Sequence, residues 1–319
     1  MSYNILILSV GRRVELVNSF KETAKKMNET IVLHGADIDR TAPALLFCDY
    51  QHIIKRIGQK GYINELIGLC LSHTVNLIIP TIDTELLLLS QNKDLIEKES
   101  TARILISPFK TISLFTNKIS THKILIEKGY LTPQLKDKTS FKDFPLFIKP
   151  VEGSSSKNAV KILNRDDLRY WSNKIERSLI QEFIEGDEFT VDIYTDFQSK
   201  FICAVPRLRL KTREGEISKG KVMKNPRIIE LAKKICSDFK FMGPITLQLI
   251  KCKDKYYIIE INPRFGGGYP MSYLAGADYV QFIIKELKGI KLNEFDDYND
   301  NMLFSRFDMT AQVEIDEND

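Results

Sequence analysis

Gly243 to Gly268 reads GPITLQLIKCKDKYYIIEINPRFGGG. Ile245, Leu247 and Leu249 alternate with Thr246, Gln248 and Ile250, and a polar break at Lys253-Asp254-Lys255 precedes a second run, Tyr256 to Ile261. Two β-rich runs joined by a short polar turn predict a hairpin. Glu260, Asn262 and Arg264 stand at i, i+2 and i+4, so one strand face carries all three. With Gln248 of the partner strand on the same side, a carboxylate, two amide oxygens and a guanidinium share one small area. Such oxygens suit a hard cation such as Mg²⁺, and the arginine suits a phosphate or acyl-phosphate oxygen bound through its planar fork. Gly266-Gly267-Gly268 allows close backbone approach after the strand. A solvated polar face with an exposed ion pair accounts for the same spacing, so the choice rests on the rest of the chain.

The chain has 319 residues, enough for roughly two domains. Hydrophobic residues are 43% and charged residues 28%, an ordinary globular composition. The net charge of +4 is mild and the lysines are spread, which gives no reason to expect a nucleic-acid partner. No apolar run approaches the roughly 20 residues of a membrane span, so no membrane partner is expected. MSYNILILSVGRR lacks a leading basic region and reads as a first strand rather than a signal peptide. Cys48, Cys70, Cys203, Cys236 and Cys252 are scattered, with no Cys-x-x-Cys pair, which fits a reducing, cytoplasmic setting without disulfides or zinc. His34, His52, His73 and His122 also lack metal-ligand spacing and read as structural or exposed.

Asn4 to Val10 is a nearly continuous apolar run, the mark of a buried central strand in a parallel sheet. Gly11-Arg12-Arg13 is the turn after it, and Val14, Val17, Phe20, Ala24 and Met27 recur at helical spacing. Ile31 to Leu33 predicts a second strand, ending in Ala36-Asp37-Ile38-Asp39. Tyr62 to about Ser72 predicts a helix, Asn76 to Ile79 a third strand, Leu86 to Lys98 a helix and Arg103 to Ser107 a fourth strand. This alternation means βαβ units and an open, right-handed parallel sheet, whose ligands bind past the carboxyl ends of its strands. Arg12, Arg13, Asp37, Asp83 and Glu85 sit on three loops of that rim and are candidate substrate contacts. The two arginines suit an anionic ligand near a helix start, and a solvent-exposed turn explains them equally. No Gly-x-Gly-x-x-Gly follows the first strand, so no dinucleotide site is expected.

Thr116 to Lys128 predicts a helix with Lys118 near its start and Gly129 in the stop position. Phe147 to Pro150 is a strand with Lys149 embedded in it. Gly153, Ser154, Ser155 and Ser156 form the tip between it and the strand Ala159 to Leu163, and such a loop can cradle phosphate oxygens or be a plain mobile turn. Ser178 to Ile184, Glu188 to Asp196 and Phe201 to Lys211 are further strands. Arg207, Arg209 and Lys211 make a one-sided basic stripe on the last, which a solvated, charge-guarded edge also explains. Thr212 to Lys221 reads as a mobile loop. Asn225-Pro226 caps the helix Arg227 to Phe239. A helix from about Met271 to Lys288, a short strand near Met302 to Phe307 and a loose acidic terminus complete the chain.

Antiparallel sheets with lysines on strands, a Ser/Gly hairpin and a Gln…Glu-x-Asn-x-Arg face resemble the ATP-grasp superfamily of ligases. The resemblance covers nearly the whole chain. Ile259-Glu260-Ile261-Asn262-Pro263-Arg264, with Gln248 upstream, is most similar to the carbamoyl-phosphate synthetase large subunit and its stand-alone relatives. It implies an α/β chain with an α+β second half. An open parallel, Rossmann-like pre-ATP-grasp sheet (1–110) precedes a two-lobed ATP-grasp module of mainly antiparallel sheets (111–290, its lid lobe about 111–184 and large lobe about 185–290). The tail 291–319 packs on the large lobe.

By that resemblance Lys118 and Lys149 contact the phosphates of ATP, Gly153 to Ser156 cover them, Glu182, Phe183 and Ile184 form the adenine edge, and Glu188 meets the ribose. Gln248, Glu260 and Asn262 hold Mg²⁺, with Mn²⁺ able to replace it. Arg264 and Lys149, with Arg209 beside them, stabilise the transferring phosphate. A lysine in a buried strand supports this reading, since its charge needs a partner. The implied reaction joins a small-molecule carboxylate to an amine through an acyl phosphate, releasing ADP and phosphate, with paired subunits allowed. A carbamoyl-phosphate synthetase large subunit carries two such modules and this chain has room for one, so a single-step ligase is expected. The alternatives are an ATP-binding regulatory module and an ATP-grasp kinase that phosphorylates without ligation.

Overall fold

The computed structural model describes residues 2–137, 144–151, 158–213 and 215–313. Gly153, Ser154, Ser155 and Ser156 lie outside the described residues. The chain is mixed α/β, with a parallel sheet first and antiparallel sheets after it.

The first sheet is built from β1 (Ser2–Leu8), α1 (Val14–Met27), β2 (Thr30–Asp37), β3 (Tyr50–Ile53), α2 (Tyr62–Ser72), β4 (Leu77–Ile79), α3 (Asp83–Gln91), α4 (Lys93–Ser100) and β5 (Arg103–Ile104). Its order is β3-β2-β1-β4-β5, all parallel. Ile5, Leu6, Ile7 and Leu8 are all fully buried, as a strand covered on both faces requires. The order reverses direction at β1, so the loops leaving β1 and β4 part there and open a crevice. β3 was not expected. The single helix expected over Leu86 to Lys98 is two, because Asn92 ends α3, with its side chain on the Leu88 carbonyl, and begins α4.

Next come α5 (Phe109–Thr116) and α6 (Lys118–Glu127), where the Asn117 side chain accepts from the Ile119 and Ser120 N–H groups. A small antiparallel sheet follows: β6 (Leu135–Lys136), β7 (Leu146–Pro150), β8 (Val160–Ile162), α7 (Arg165–Lys174) and β9 (Ser178–Glu182), in the order β6-β9-β7-β8.

The third sheet holds β10 (Asp187–Thr195), β11 (Phe201–Arg213), β12 (Glu216–Val222), β13 (Gly243–Cys252), β14 (Lys255–Asn262) and β15 (Leu303–Ser305), antiparallel in the order β14-β13-β10-β11-β12-β15. Helix α8 (Pro226–Asp238) lies between β12 and β13 in the chain. The expected loop over Thr212 to Lys221 is instead mostly strand. β12 pairs with β11 on one side and β15 on the other, and its Ile217 and Val222 are buried beneath the lysines that disguised it. The expected helix over Met271 to Lys288 is α9 (Tyr269–Leu274) and α10 (Tyr279–Leu287). Gly276 breaks it at φ +106°, a backbone value that favours glycine, and Asp278 caps the restart. One core joins α1 to α9 and α10, and another packs β10 and β13 against α8.

Candidate active site

The β13–β14 hairpin sets Gln248 opposite Glu260 and Thr246 opposite Asn262. Between Gln248 and Leu249 the register shifts, leaving Ile259 as an extra residue on β14. This bulge switches the alternation. Ile258 and Ile261 therefore both pack into the core, while Glu260, Asn262 and then Arg264 face a cleft of about 320 Å³. The first turn of the parallel sheet, with Arg12 and Arg13, and the turn after β4, with Asp83, form the facing wall.

Charge pairs order this cleft. Arg264 Nη2 donates to Asp83 Oδ2 at 2.6 Å, across 181 residues of sequence. Burial alone would lower the pKa of Arg264, yet it is raised, because Asp83, Glu260 and Glu216 outweigh burial. Arg13 donates to the Thr81 carbonyl at 2.7 Å, and burial, helped by Arg264, pushes its pKa down to about 10. Arg209 bonds Glu188 and the Gly215 carbonyl, each at 2.7 Å. The Gln248 amide also lies on Glu188. A carboxylate oxygen only accepts, so the atom meeting it is the amide nitrogen and the Gln248 oxygen is left for another partner.

Arg207 and Arg209 do not form the solvated edge that the stripe allowed. β11 is an interior strand, and Arg207 is fully buried, its Nη2 2.8 Å from Asp192 Oδ2. Ser272 donates to the same oxygen at 2.5 Å. Gly268 lies against this pair, where a Cβ would fall 2.3 Å from Arg207 Nη1.

A smaller chamber of about 20 Å³ opens on the other side of Glu260, lined by Lys118, His122 and Lys149. Glu260 borders both spaces. Lys149 is 8% exposed. Burial pushes its pKa down to about 8, with Glu260 opposing and Lys118 adding to the shift. Its Nζ donates to the carbonyl of the bulged Ile259 at 3.4 Å. Glu182, Phe183 and Ile184 occupy the passage from β9 to β10. Glu182 accepts from the Gln134 N–H at 2.9 Å, and Phe183 carries Lys161 Nζ 4.1 Å above its ring.

The fold thus brings Arg12, Arg13, Asp83, Arg209, Gln248, Glu260, Asn262 and Arg264 to one cleft, with Lys118 and Lys149 beyond Glu260. Asp37 and Glu85 stand behind it and hold its turns. Asp37 accepts from the Gly11 N–H at 2.9 Å. Glu85 accepts from the Thr81 N–H at 2.8 Å, the Ile82 N–H at 3.2 Å and the Ser9 hydroxyl at 2.9 Å, and burial pushes its pKa up to about 7. Glu216 and Arg306, paired at 2.9 Å, also line the cleft and were not singled out in the sequence. Arg306 lies in an acidic terminal stretch that carries no local signal. The histidines were not expected to gather, yet His34, His52 and His73 do so on the first sheet.

Residues 174–307 match the family described as ATP-grasp in the biosynthetic pathway with Ter operon. The chain carries an ATP-grasp domain. Residues 5–104, ahead of it, match the PylC-like N-terminal domain. The chain is similar to carbamoyl-phosphate synthase of Methanobrevibacter smithii, 24% identical over 62% of this chain and 60% of that protein. It is also similar to D-alanine–D-alanine ligase of Fusobacterium nucleatum, 26% identical over 47% of this chain and 56% of that one. The chain thus spans less than two thirds of either relative's length. In fold it resembles the biotin carboxylase domain of Hydrogenobacter thermophilus 2-oxoglutarate carboxylase, solved with MgADP, ADP and bicarbonate, with TM-score 0.71 at 18% identity, covering 94% of this chain and 73% of that one. Among the described residues no helix is long and apolar enough to cross a membrane.

Proposed function

We propose that this chain is an ATP- and Mg²⁺-dependent ligase that joins a small-molecule carboxylate to an amine, working in the cytoplasm. The observation that carries the proposal is the place of Glu260, between the buried Lys149 and the cleft that holds Gln248, Asn262 and Arg264. The donors fit an anionic nucleotide and a hard cation. Arg209 Nε and Arg264 Nε are buried without a hydrogen-bond partner among the described residues, which suits arriving phosphate or carboxylate oxygens. Gln248, Glu260 and Asn262 offer oxygen ligands of the kind Mg²⁺ takes together with phosphates. The name of one relative, D-alanine–D-alanine ligase, supports the same reading.

In this proposal Lys118 and Lys149 bind the phosphates, Glu182 to Ile184 border the adenine and Glu188 meets the ribose. Gln248, Glu260 and Asn262 seat the magnesium, which when bound neutralises charge on the transferring phosphoryl group. Arg264 and Arg209 stabilise the charge that develops when the carboxylate attacks the γ-phosphate. ADP leaves as the acyl phosphate forms, and the amine then attacks the acyl carbon, making the C–N bond, breaking the C–O bond to phosphate and releasing phosphate and a proton. Arg12, Arg13 and Asp83 border the acceptor end of the cleft, and residues 1–110, 111–290 and 291–319 serve as the preceding domain, the ATP-grasp module and its tail. Positioning and charge carry the rate, so no acid–base dyad is required.

Phosphate release measured over a panel of acids and amines tests the proposal. Turnover that needs acid, amine, ATP and Mg²⁺ together, and that Glu260→Gln and Lys149→Ala abolish, is expected. Tight ATP binding without release would make the chain a regulatory binder, and a phosphorylated product formed without amine would make it a kinase.

A further inference from the structure

Three histidines meet on the face of the parallel sheet that packs against α2. His34 comes from β2, His52 from the edge strand β3 and His73 from the cap that ends α2. One ring nitrogen of each lies within 4.8 Å of the others. His34 Nδ1 and His52 Nε2 are 3.0 Å apart. His34 is 2% exposed, and its Nε2 is buried without a hydrogen-bond partner among the described residues. Tyr50 stacks flat on the His34 ring at 4.8 Å.

Ordinary packing does not call for this arrangement. A buried imidazole is normally satisfied at both nitrogens, often by a carboxylate or a carbonyl. The neighbouring acid, Asp49, is already held by the Leu33 N–H at 2.8 Å and by Lys21 at 3.0 Å. An ordinary imidazole is mostly uncharged at neutral pH. Neutral imidazoles keep the lone pairs that a metal ion takes.

We propose that His34, His52 and His73 form a binding site for a transition-metal dication such as Zn²⁺, with three imidazole ligands and a position left for solvent. Imidazole suits Zn²⁺, Ni²⁺ and Cu²⁺, whereas Mg²⁺ takes oxygen, so this site is chemically separate from the cleft at Glu260. Tetrahedral ligation at about 2.0–2.1 Å puts ligand nitrogens about 3.3 Å apart, inside the range that the cluster spans, from the 3.0 Å of His34 and His52 to no more than 4.8 Å. His52 and His73 are half-buried, which leaves their rings room to turn. The bound ion ties the short edge strand β3 and the end of α2 to β2, and it stabilises the folded chain by mass action.

The test uses the untagged, metal-stripped full chain without nucleotide. Co²⁺ titration followed by visible absorbance is expected to give one equivalent with the bands of a nitrogen-ligated, four- or five-coordinate site. Zn²⁺ displaces the Co²⁺ and raises Tm. His52→Gln and His73→Gln each weaken binding by more than the about tenfold to hundredfold that losing an outer partner costs. Glu260→Gln leaves it unchanged. Should His52→Gln fail to fold, His73→Gln at the helix end carries the comparison. The proposal falls if the wild-type chain shows neither the absorbance nor the Tm rise, or if both histidine variants bind Co²⁺ as the wild type does.

Discussion

Asp83 Oδ2 stands 2.6 Å from Arg264 Nη2, and this contact joins the turn after β4 to the end of β14. It makes the N-terminal sheet part of the cleft rather than a neighbour to it. Asp83→Asn keeps the shape and removes the charge. A charge-assisted hydrogen bond contributes about 1.5–3 kcal/mol, so kcat is expected to fall about tenfold to a hundredfold, with little change in the KM for ATP. In a double-mutant cycle with Arg264→Lys the two losses should be far from additive. Additive losses would mean that the pair does not act as a unit.

Lys149 carries a charge that the cleft can switch off. Burial lowers its pKa from the ordinary lysine value to about 8, so without nucleotide the ammonium is present below pH 8 and lost as pH rises through it. If Lys149 binds phosphate as proposed, kcat/KM for ATP should decline above about pH 8. Lys149→Arg keeps the cation through this range and should remove that limb of the profile, whatever it does to the rate. A wild-type profile flat to pH 10 would contradict the role assigned to Lys149.

Glu85 works against stability at neutral pH while holding the rim in place. Its pKa rises from 4.5 to about 7 on folding, so between those values the folded chain binds more protons than the unfolded one. Stability from this group is therefore greatest at acid pH, falls as pH rises from about 4.5 to 7, and is not regained above that. Glu85→Gln should flatten the fall in Tm across this window while still accepting the Thr81 and Ile82 N–H groups. Glu85→Ala should be worse, costing about 1–3 kcal/mol for each donor left buried and unpaired.

Gly268, the last of the glycine run after β14, is closed to side chains by the buried Arg207–Asp192 pair beside it. Gly268→Ala would put a methyl 2.3 Å from Arg207 Nη1, in a place fixed by Asp192 and Ser272. A loss of about 1–3 kcal/mol is expected from overpacking, read as a lower Tm or denaturation midpoint. Arg207→Met should cost more, about 3–5 kcal/mol, since it strands the Asp192 carboxylate. Wild-type stability in either variant would show that the pair tolerates displacement.

The face carrying Glu260, Asn262 and Arg264 was legible because a strand repeats every second residue and three polar groups at that period stand out in an apolar run. The buried strand Ile5 to Leu8 was legible for the opposite reason, being apolar without a period. What escaped notice depended on partners far away in the chain. Lysines on its outer face hid β12, whose inner face shows only Ile217 and Val222. Asn92 and Gly276 each cut one apolar periodicity into two helices, because a cap acts through the backbone and leaves the pattern on either side intact. Glu85 and Asp37 looked like rim groups from their positions, yet their carboxylates turn inward to backbone N–H groups. The three histidines share no local spacing, since only the pairing of β2 with β3 and the packing of α2 bring them together.

The surplus residue on β14 separates architecture from chemistry at a single position. Ile259 stands outside the ladder, and its carbonyl is the acceptor that the Lys149 ammonium reaches. A chain lacking Ile259 would still turn Ile258 and Ile261 inward and Glu260 and Asn262 outward, so the hydrophobic pattern would register no loss. The lysine proposed to meet the nucleotide would nonetheless be unmoored. Shortening the strand by this one residue is thus a lesion that folding would overlook and that turnover alone would report.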